Sequence, residues 1–275
     1  MADKRITPAR ADLAAAHLKG KVDAAQFVEG KAYSVWSGRT ALLGSPEPLA
    51  EQVSELLYGE EFIVYEVKDN RAWGQAVRDH YVGYVNVMAL DAVMQPDKRV
   101  SALMTPVFTS PSIKSLVSIS LPLNAALEQT GLDGDFFALK GGGFVHHRHV
   151  APLEEHATDF VSVAQQFLHV PYVWGGRTAA GLDCSGLVQT ALQAAGISAP
   201  RDTDMMEKAL GLPVDRRDVQ RGDLVFWKGH MGVMQDAGTL LHANAFHMEV
   251  FAENLDQAIA RIEKSAGPVT AIKRL

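Results

Sequence analysis

The stretch GLDCSGLVQTAL, residues 181–192, contains the only cysteine of the 275-residue chain. The apolar residues after it recur at helical spacing, at Leu187, Val188, Ala191, Leu192 and Ala195. Gly196 then stands where a helix usually ends. Cys184 is therefore predicted at or just before the first turn of a helix. The unpaired amides and the positive dipole of that turn favour thiolate over thiol, so we expect a lowered thiol pKa.

Two histidines downstream are placed to serve this sulfur. His230 opens the strand-like run HMGVM, His242 lies in LLHAN, and the turn residues 236–239 separate them. Such strands are expected to be antiparallel neighbours, with His242 within about two positions of the residue opposite His230 and on the same face. One histidine can then accept the thiol proton while the other orients its ring. This is the arrangement that cysteine peptidases use.

The rest of the chain divides into segments with different patterns of apolar, charged and turn residues. Residues 1–30 mix charged residues with Ala and Leu and predict a short helix and an extended lead-in. Residues 31–91 and 97–152 consist of short β-like runs broken by turn residues, a pattern typical of small barrels. In residues 155–275 helical stripes precede alternating strands, which predicts an α+β domain with helices packed on an antiparallel sheet.

The composition and charge of the chain argue against some classes of function. The chain is 47% hydrophobic and 21% charged, as is usual for globular proteins, and its net charge of −6 argues against a nucleic-acid partner. One cysteine cannot form an internal disulfide. The longest apolar run near the start, Leu13–Ala16, is shorter than the roughly 7–15 residues of a secretory signal. No stretch approaches the roughly 18 apolar residues of a membrane span, so we expect no membrane partner and a cytoplasmic location.

Three blocks of the sequence, GLDCSGLVQTAL, RGDLVFWKGHMGVM and LLHAN, resemble the motifs of the NlpC-type cysteine peptidase family, and PYVWGGRTAAG resembles the segment before its cysteine. The resemblance covers roughly residues 155–275 and implies a papain-like catalytic domain. It implies that Cys184 is the nucleophile, His230 the general base and His242 the residue that orients it. It also implies hydrolysis of cell-wall (murein) peptides, commonly between γ-D-glutamate and an L-diamino acid, with no metal and no organic cofactor.

Two SH3-like modules ahead of such a domain resemble the subfamily that releases L-Ala-γ-D-Glu from free murein peptides. By that resemblance Asp202 pairs with the free α-amine of the substrate, and Tyr81 reaches from the first barrel into the catalytic cleft. Ser185 adds a polar contact and Glu60 assists the amine site. The implied partner is a small peptide, L-Ala-γ-D-Glu-diamino acid; the preferred diamino acid and the oligomeric state stay open.

Several of these residues also have plainer interpretations. Asp202 lies shortly after Pro200 in APRDTD and suits a turn or an N-cap. Tyr81 suits the packing of a barrel, and Asp183 suits a helix cap better than a catalytic acid. The run HHRH, residues 146–149, is more easily an edge strand than a zinc site, because no cysteine or carboxylate lies close by in sequence.

Two other functions are compatible with the same pattern. A secreted hydrolase could use its barrels to dock on intact peptidoglycan. A non-catalytic wall-binding protein could retain a degenerate peptidase domain, although the presence of all three catalytic residue types argues against it.

Overall fold

A computed structural model describes residues 3–275, in which the chain forms two compact units, the first ending at Leu153 and the second running from Glu154 to Leu275. The described chain is mostly β-sheet, with four α-helices. Within it, each helix is too short or too polar to cross a membrane.

The lead-in of the first unit is extended. Strand β1 (Leu13–Ala15) pairs in parallel with β2 (Gln26–Val28), and one turn of 3₁₀ helix, Ala16–Leu18, follows β1. The helix predicted in this segment is thus limited to a single turn. Residues 1 and 2 of the predicted lead-in lie outside the described residues.

Residues 31–91 form one seven-stranded sheet. Its strands are β3 (Lys31–Val35), β4 (Arg39–Leu43), β5 (Gln52–Leu57), β6 (Glu61–Lys68), β7 (Arg71–Ala76), β8 (Val82–Asn86) and β9 (Leu90–Asp91). They follow the order β5-β4-β8-β7-β6-β3-β9. Strands β6 and β7 form a hairpin that turns at Asp69 and Asn70, which both have positive φ, as the twist of a two-residue hairpin turn requires.

Residues 98–152 form two further sheets. The strands are β10 (Lys98–Val100), β11 (Met104–Phe108), β12 (Val117–Pro122), β13 (Ala126–Leu127), β14 (Gln129–Asp133), β15 (Phe136–Leu139), β16 (Phe144–His146) and β17 (Val150–Pro152). Their orders are β12-β11-β16-β15-β14 and β13-β10-β17. Tyr58 and Met94 join the core of this second module, so both modules belong to one compact unit. The prediction of a strand at residues 146–149 is wrong, because β16 ends at His146 and a 3₁₀ turn, His147–His149, follows.

The second unit begins with helices and continues as a sheet. Its elements are α1 (Phe160–Gln165), β18 (Arg177–Thr178), β19 (Gly181–Leu182), α2 (Cys184–Ala194), α3 (Thr203–Ala209), β20 (Leu212–Pro213), β21 (Leu224–Trp227), β22 (His230–Met234), β23 (Thr239–Asn244), β24 (Glu249–Asn254), α4 (Leu255–Ala266) and β25 (Ala271–Arg274). The sheet has the order β20-β25-β21-β22-β23-β24 and all of its pairs are antiparallel. Helices α1 to α3 therefore precede the strands of an antiparallel sheet, whereas α4 follows β24.

Helix α4 and strand β25 were not anticipated from the sequence. Asn254 caps α4 by accepting hydrogen bonds from the N–H groups of Asp256 and Gln257. Leu255, Ala258 and Ile262 then recur on one face and pack into the core beside the sheet. The chain leaves α4 at Gly267 and returns as β25 between β20 and β21.

Candidate active site

Cys184 is the first residue of helix α2, and the residue before it fixes how the helix begins. Asp183 is the N-cap: its Oδ1 accepts from the N–H of Gly186 at 2.6 Å, and its Oδ2 accepts from the N–H of Gly175 at 2.8 Å. The expectation that Asp183 is a helix cap is confirmed. Because its carboxylate ties the start of α2 to the preceding loop, the position of the sulfur is set by backbone hydrogen bonds.

A buried arginine holds this cap in place. Arg201 Nη2 donates to Asp183 Oδ2 at 2.6 Å and Nη1 donates to Oδ1 at 3.0 Å, with side chains only 1% and 9% exposed. Arg201 Nη1 also donates to the hydroxyl of Ser185 at 2.8 Å. The sequence reasoning missed Arg201, because nothing in the local pattern shows that two charges 18 residues apart share a buried site.

The sulfur of Cys184 lies beside the beginning of β22. The residue is 7% exposed, its Sγ is 3.8 Å from Thr203 Oγ1, and the backbone N–H of Met231 hydrogen-bonds to the sulfur. Met231 directly follows His230, and α2 packs against this strand. The structure thus brings the predicted nucleophile to the strand that begins with the predicted base.

The expected lowering of the thiol pKa is wrong for this structure. Burial and the negative charge of Asp183 raise the pKa of Cys184 to about 11, against the opposing effects of the Thr203 and Met231 hydrogen bonds and the Arg201 charge. A helix dipole contributes a few tenths to about 2 kcal/mol, whereas desolvation of a buried thiolate can exceed that. The resting thiol is therefore protonated.

His230 and His242 form a hydrogen-bonded pair on neighbouring strands. The pairs Val233–Leu241 and Met234–Leu240 place β22 and β23 antiparallel, and His230 Nε2 lies 2.8 Å from His242 Nδ1. The predicted juxtaposition on one face is confirmed. His242 is fully buried, and His230 packs its ring 5.7 Å from the ring of Trp227.

Both imidazoles are neutral at neutral pH. Burial, with smaller contributions from the charges of His242 and Arg261, lowers the pKa of His230 to about 3, while Glu253 opposes the shift. Burial likewise lowers the pKa of His242, against the hydrogen bond and charge of Glu253. Cys184 and His230 are therefore both neutral at rest and do not form a thiolate–imidazolium ion pair. The histidine would have to accept the thiol proton during the attack itself.

Two charged residues behind His242 were also missed. His242 Nε2 lies 2.8 Å from Glu253 Oε1, and Arg261 of α4 forms an ion pair with the same oxygen. Glu253 stands opposite Leu240 in the β23–β24 register, so it shares a face with His242 two residues along. The sequence shows that both lie on strands, but not that α4 returns Arg261 over them.

One group of side chains near this site has metal-ligand character. The ligand atoms of His242, His247 and Glu253 lie within 4.8 Å of one another. Glu253 is already paired with the Arg261 guanidinium, whose positive charge opposes a second cation.

Tyr172 is a further residue, electrostatically coupled to Cys184 and Asp183, that sequence reasoning did not single out. Burial raises the pKa of its phenol, and the charges of Cys184 and Asp183 raise it further. The hydroxyl therefore stays protonated at neutral pH. The sequence had identified PYVWGG, which contains Tyr172, only as part of a motif and had given no role to the tyrosine.

The remaining predicted site residues lie in different places. Asp202 occupies the N-cap position of α3 by its backbone angles, but its carboxylate makes no capping hydrogen bond to that helix within residues 3–275. In the first unit, Tyr81 belongs to the core cluster of the seven-stranded sheet. Glu60, also in the first unit, pairs with Arg78 at 2.9 Å and accepts from the N–H of Leu57 at 3.0 Å.

The raised thiol pKa predicts how Cys184 reacts with an alkylating agent. Only thiolate is nucleophilic, so the rate constant for iodoacetamide should rise about tenfold per pH unit between pH 7 and 10. The same protein in denaturant provides the control, since its thiol takes the ordinary pKa of about 8.5 and its rate levels off earlier. A rate independent of pH between 6 and 8 in the folded protein would contradict the neutral resting pair. Stopped-flow or quench measurements with mass detection give these rates.

Comparison with known families places two domains on this chain. Residues 169–262 match the NlpC/P60 family, and residues 42–90 match the bacterial dipeptidyl-peptidase SH3 domain. The first range contains Cys184, His230, His242, Glu253 and Arg261, and the second contains Glu60 and Tyr81.

Curated relatives and solved structures agree with these matches. The chain is 28% identical over 243 residues to dipeptidyl-peptidase 6 of Lysinibacillus sphaericus, covering 78% of this chain and 89% of that protein. It is 35% identical over 115 residues to the gamma-D-glutamyl-L-lysine dipeptidyl-peptidase of Bacillus subtilis strain 168, covering 38% of each. The crystal structure of an NlpC/P60 family protein from Bacillus cereus ATCC 10987 superposes with a TM-score of 0.74 at 18% identity, over 89% of this chain and 99% of that one. This last similarity concerns the fold.

Proposed function

Because the chain carries an NlpC/P60 domain and a bacterial dipeptidyl-peptidase SH3 domain, we propose that it is a cysteine peptidase that hydrolyses the γ-D-glutamyl–L-diamino acid bond of murein peptides. The observation that supports this most is the placement of Cys184 Sγ at the strand of His230, with His242 hydrogen-bonded behind that ring. Relatives named gamma-D-glutamyl-L-lysine dipeptidyl-peptidase support the choice of bond.

The reaction follows from the neutral resting pair. As Cys184 Sγ attacks the γ-glutamyl carbonyl carbon, His230 accepts the thiol proton and becomes an imidazolium. Collapse of the tetrahedral intermediate breaks the C–N bond, and His230 returns the proton to the departing amine. Water, deprotonated by the same imidazole, then hydrolyses the thioester and restores the thiol. No step needs a metal or an organic cofactor.

Charge developing on the carbonyl oxygen needs donors close to the sulfur. We assign this role to backbone N–H groups at the start of α2, whose first residue is Cys184. The hydroxyl of Tyr172, which burial keeps protonated, is proposed as a second donor.

Selection of a free α-amine is assigned to Asp202 on the resemblance, at the N-cap position of α3. A carboxylate–ammonium pair rejects substrates without the amine, because the carboxylate is then left unpaired. Ser185 is proposed as a polar contact beside it. Tyr81 and Glu60 are proposed as contacts from the first of two SH3-like barrels, residues 31–91 and 97–152, on the resemblance alone.

The direct test is incubation with L-Ala-γ-D-Glu-meso-diaminopimelate and with its L-lysine counterpart, followed by mass analysis. We expect L-Ala-γ-D-Glu and the free diamino acid as products. Cleavage of intact sacculi but not of these peptides would instead identify a hydrolase of the assembled wall. Turnover of neither, with the peptides still bound, would identify a non-catalytic binding protein.

Acetylating the N-terminal L-alanine of the substrate is expected to lower kcat/KM by about 10²-fold or more, since it removes the charge that Asp202 would pair with. Asp202→Asn should lose the same factor on the free peptide and little on the acetylated one. Equal rates on both peptides with the unmodified enzyme would exclude the amine site. A requirement for a free amine would also direct the enzyme to released peptides, on which basis we propose a cytoplasmic location; cell fractionation tests it.

A further inference from the structure

We propose that Glu253 is a positioning residue that sets the tautomers of His242 and His230, and thereby keeps His230 Nδ1 free to accept the thiol proton. The effect of these tautomers on turnover rests on the proposed peptidase function. The assignment of the tautomers does not depend on that function, and it is tested separately below.

The first step concerns the protonation of Glu253. Its side chain is 11% exposed, and although burial raises its pKa, the hydrogen bond from His242 and the charge of Arg261 lower it below its ordinary value. Glu253 is therefore a carboxylate at neutral pH, and an ionised carboxylate only accepts hydrogen bonds. At the 2.8 Å contact, His242 Nε2 must then carry the hydrogen and donate it to Oε1.

The second step passes this direction to the other ring. A neutral imidazole carries one N–H, so with hydrogen on Nε2 the Nδ1 of His242 is an acceptor. At the 2.8 Å contact between the rings, His230 Nε2 must be the donor. Its own Nδ1 then has the lone pair, which is the form that a general base for a neutral thiol requires.

Arg261 protects this arrangement from reversal. Its guanidinium pairs with Glu253 and lies 4.4 Å over the ring of Phe246, and Asn254 caps the helix that carries it. The positive charge favours the carboxylate and disfavours a protonated His242. A protonated His242 would direct its Nδ1–H at His230 Nε2 and move the lone pair of His230 to the wrong nitrogen. The order of groups from Arg261 to His230 thus fixes one direction of hydrogen bonding.

Nitrogen chemical shifts of ¹⁵N-histidine-labelled protein report the tautomers directly. Long-range ¹H–¹⁵N spectra at pH 7 are expected to show His230 and His242 both as Nε2–H forms, each assigned by loss of its signals in His230→Gln and His242→Gln. Observation of His242 as the Nδ1–H form, or as an imidazolium, would overturn the proposal. Because no substrate is present, this result holds whether or not the peptide is cleaved.

Substitution of Glu253 connects the tautomer to the rate. Glu253→Leu removes the acceptor and should lower kcat about 10- to 100-fold with little change in KM, while His242 shows a mixture of tautomers. Glu253→Gln keeps an oxygen that both His242 and Arg261 can donate to, and should restore the Nε2–H form and most of kcat. The matched control is Glu249→Leu, four residues from Glu253 on the same strand, whose carboxylate lies 3.3 Å from His169 and not against His242. It should leave kcat and the tautomer of His242 unchanged.

Two outcomes of these substitutions count against Glu253. If Glu253→Leu keeps wild-type kcat, or loses activity while both histidines keep their Nε2–H forms, then the carboxylate serves packing alone and the proposal fails. If Glu253→Leu does not fold, the wild-type spectrum and Glu253→Gln still decide.

Discussion

Cys184→Ala is expected to lower kcat/KM for L-Ala-γ-D-Glu-diamino acid by about 10⁴-fold or more, because loss of a nucleophile removes the covalent route altogether. Only one cysteine exists in the chain, so no second thiol can replace it. The sulfur supplies little of the fold: Asp183 still caps α2, and Arg201 still holds Asp183. The melting temperature should shift by no more than about 4 °C.

Mass analysis of products and thermal unfolding of the same preparation measure the two halves of this expectation. Ser162→Ala on helix α1, whose hydroxyl bonds Asp159 at the surface, is a control for substitution in the same unit and should keep its activity. Retention of more than about 1% of the wild-type rate by Cys184→Ala would exclude the thiol as nucleophile. If Cys184→Ala loses both activity and cooperative unfolding, Cys184→Ser, which is expected to be folded and inactive, tests the role of the thiol instead.

The sequence was sufficient to predict the elements on which this site is built. Local signals carried them: a capping aspartate and a helical stripe around Cys184, and turn residues between two strands that each bring a histidine to one face. Such patterns span fewer than about a dozen residues, over which helix and strand periodicity are informative. These local patterns are enough to single out Cys184, His230 and His242 in the sequence.

What the sequence did not reveal depends on contacts between distant segments. Arg201 meets Asp183 from 18 residues away, and Arg261 meets Glu253 only because Asn254 starts a helix that turns back over the sheet. Charged residues at such positions look like solvated surface in one dimension. The prediction of a lowered pKa for the Cys184 thiol was wrong for a related reason. The helix dipole is a local property, whereas burial and the Asp183 charge, which raise this pKa, depend on tertiary packing.

Arg201→Met is expected to destabilise the second unit by about 3–5 kcal/mol, since it leaves the Asp183 carboxylate buried without its cation. The remaining donors, the N–H groups of Gly175 and Gly186 and the hydroxyl of Ser185, bind the carboxylate but do not neutralise it. Urea-dependent hydrogen exchange of the α2 amides, followed by mass spectrometry, reports this unit separately from the first. Arg217→Met is the matched control: Arg217 pairs with Asp215 at 3.0 Å on the exposed surface and should leave the exchange unchanged.

A second substitution separates the lost charge from the lost packing. In Asp183→Asn/Arg201→Met the side chain at 183 is neutral and its oxygen can still accept from the N–H of Gly186, so no uncompensated charge remains. The double variant should therefore be more stable than Arg201→Met alone, a coupling that two independent sites would not show. If Arg201→Met matches the wild type, or if the two substitutions simply add, then the guanidinium contributes only apolar contact. The start of α2, and with it the position of the sulfur, would then be held by the backbone hydrogen bonds of Asp183.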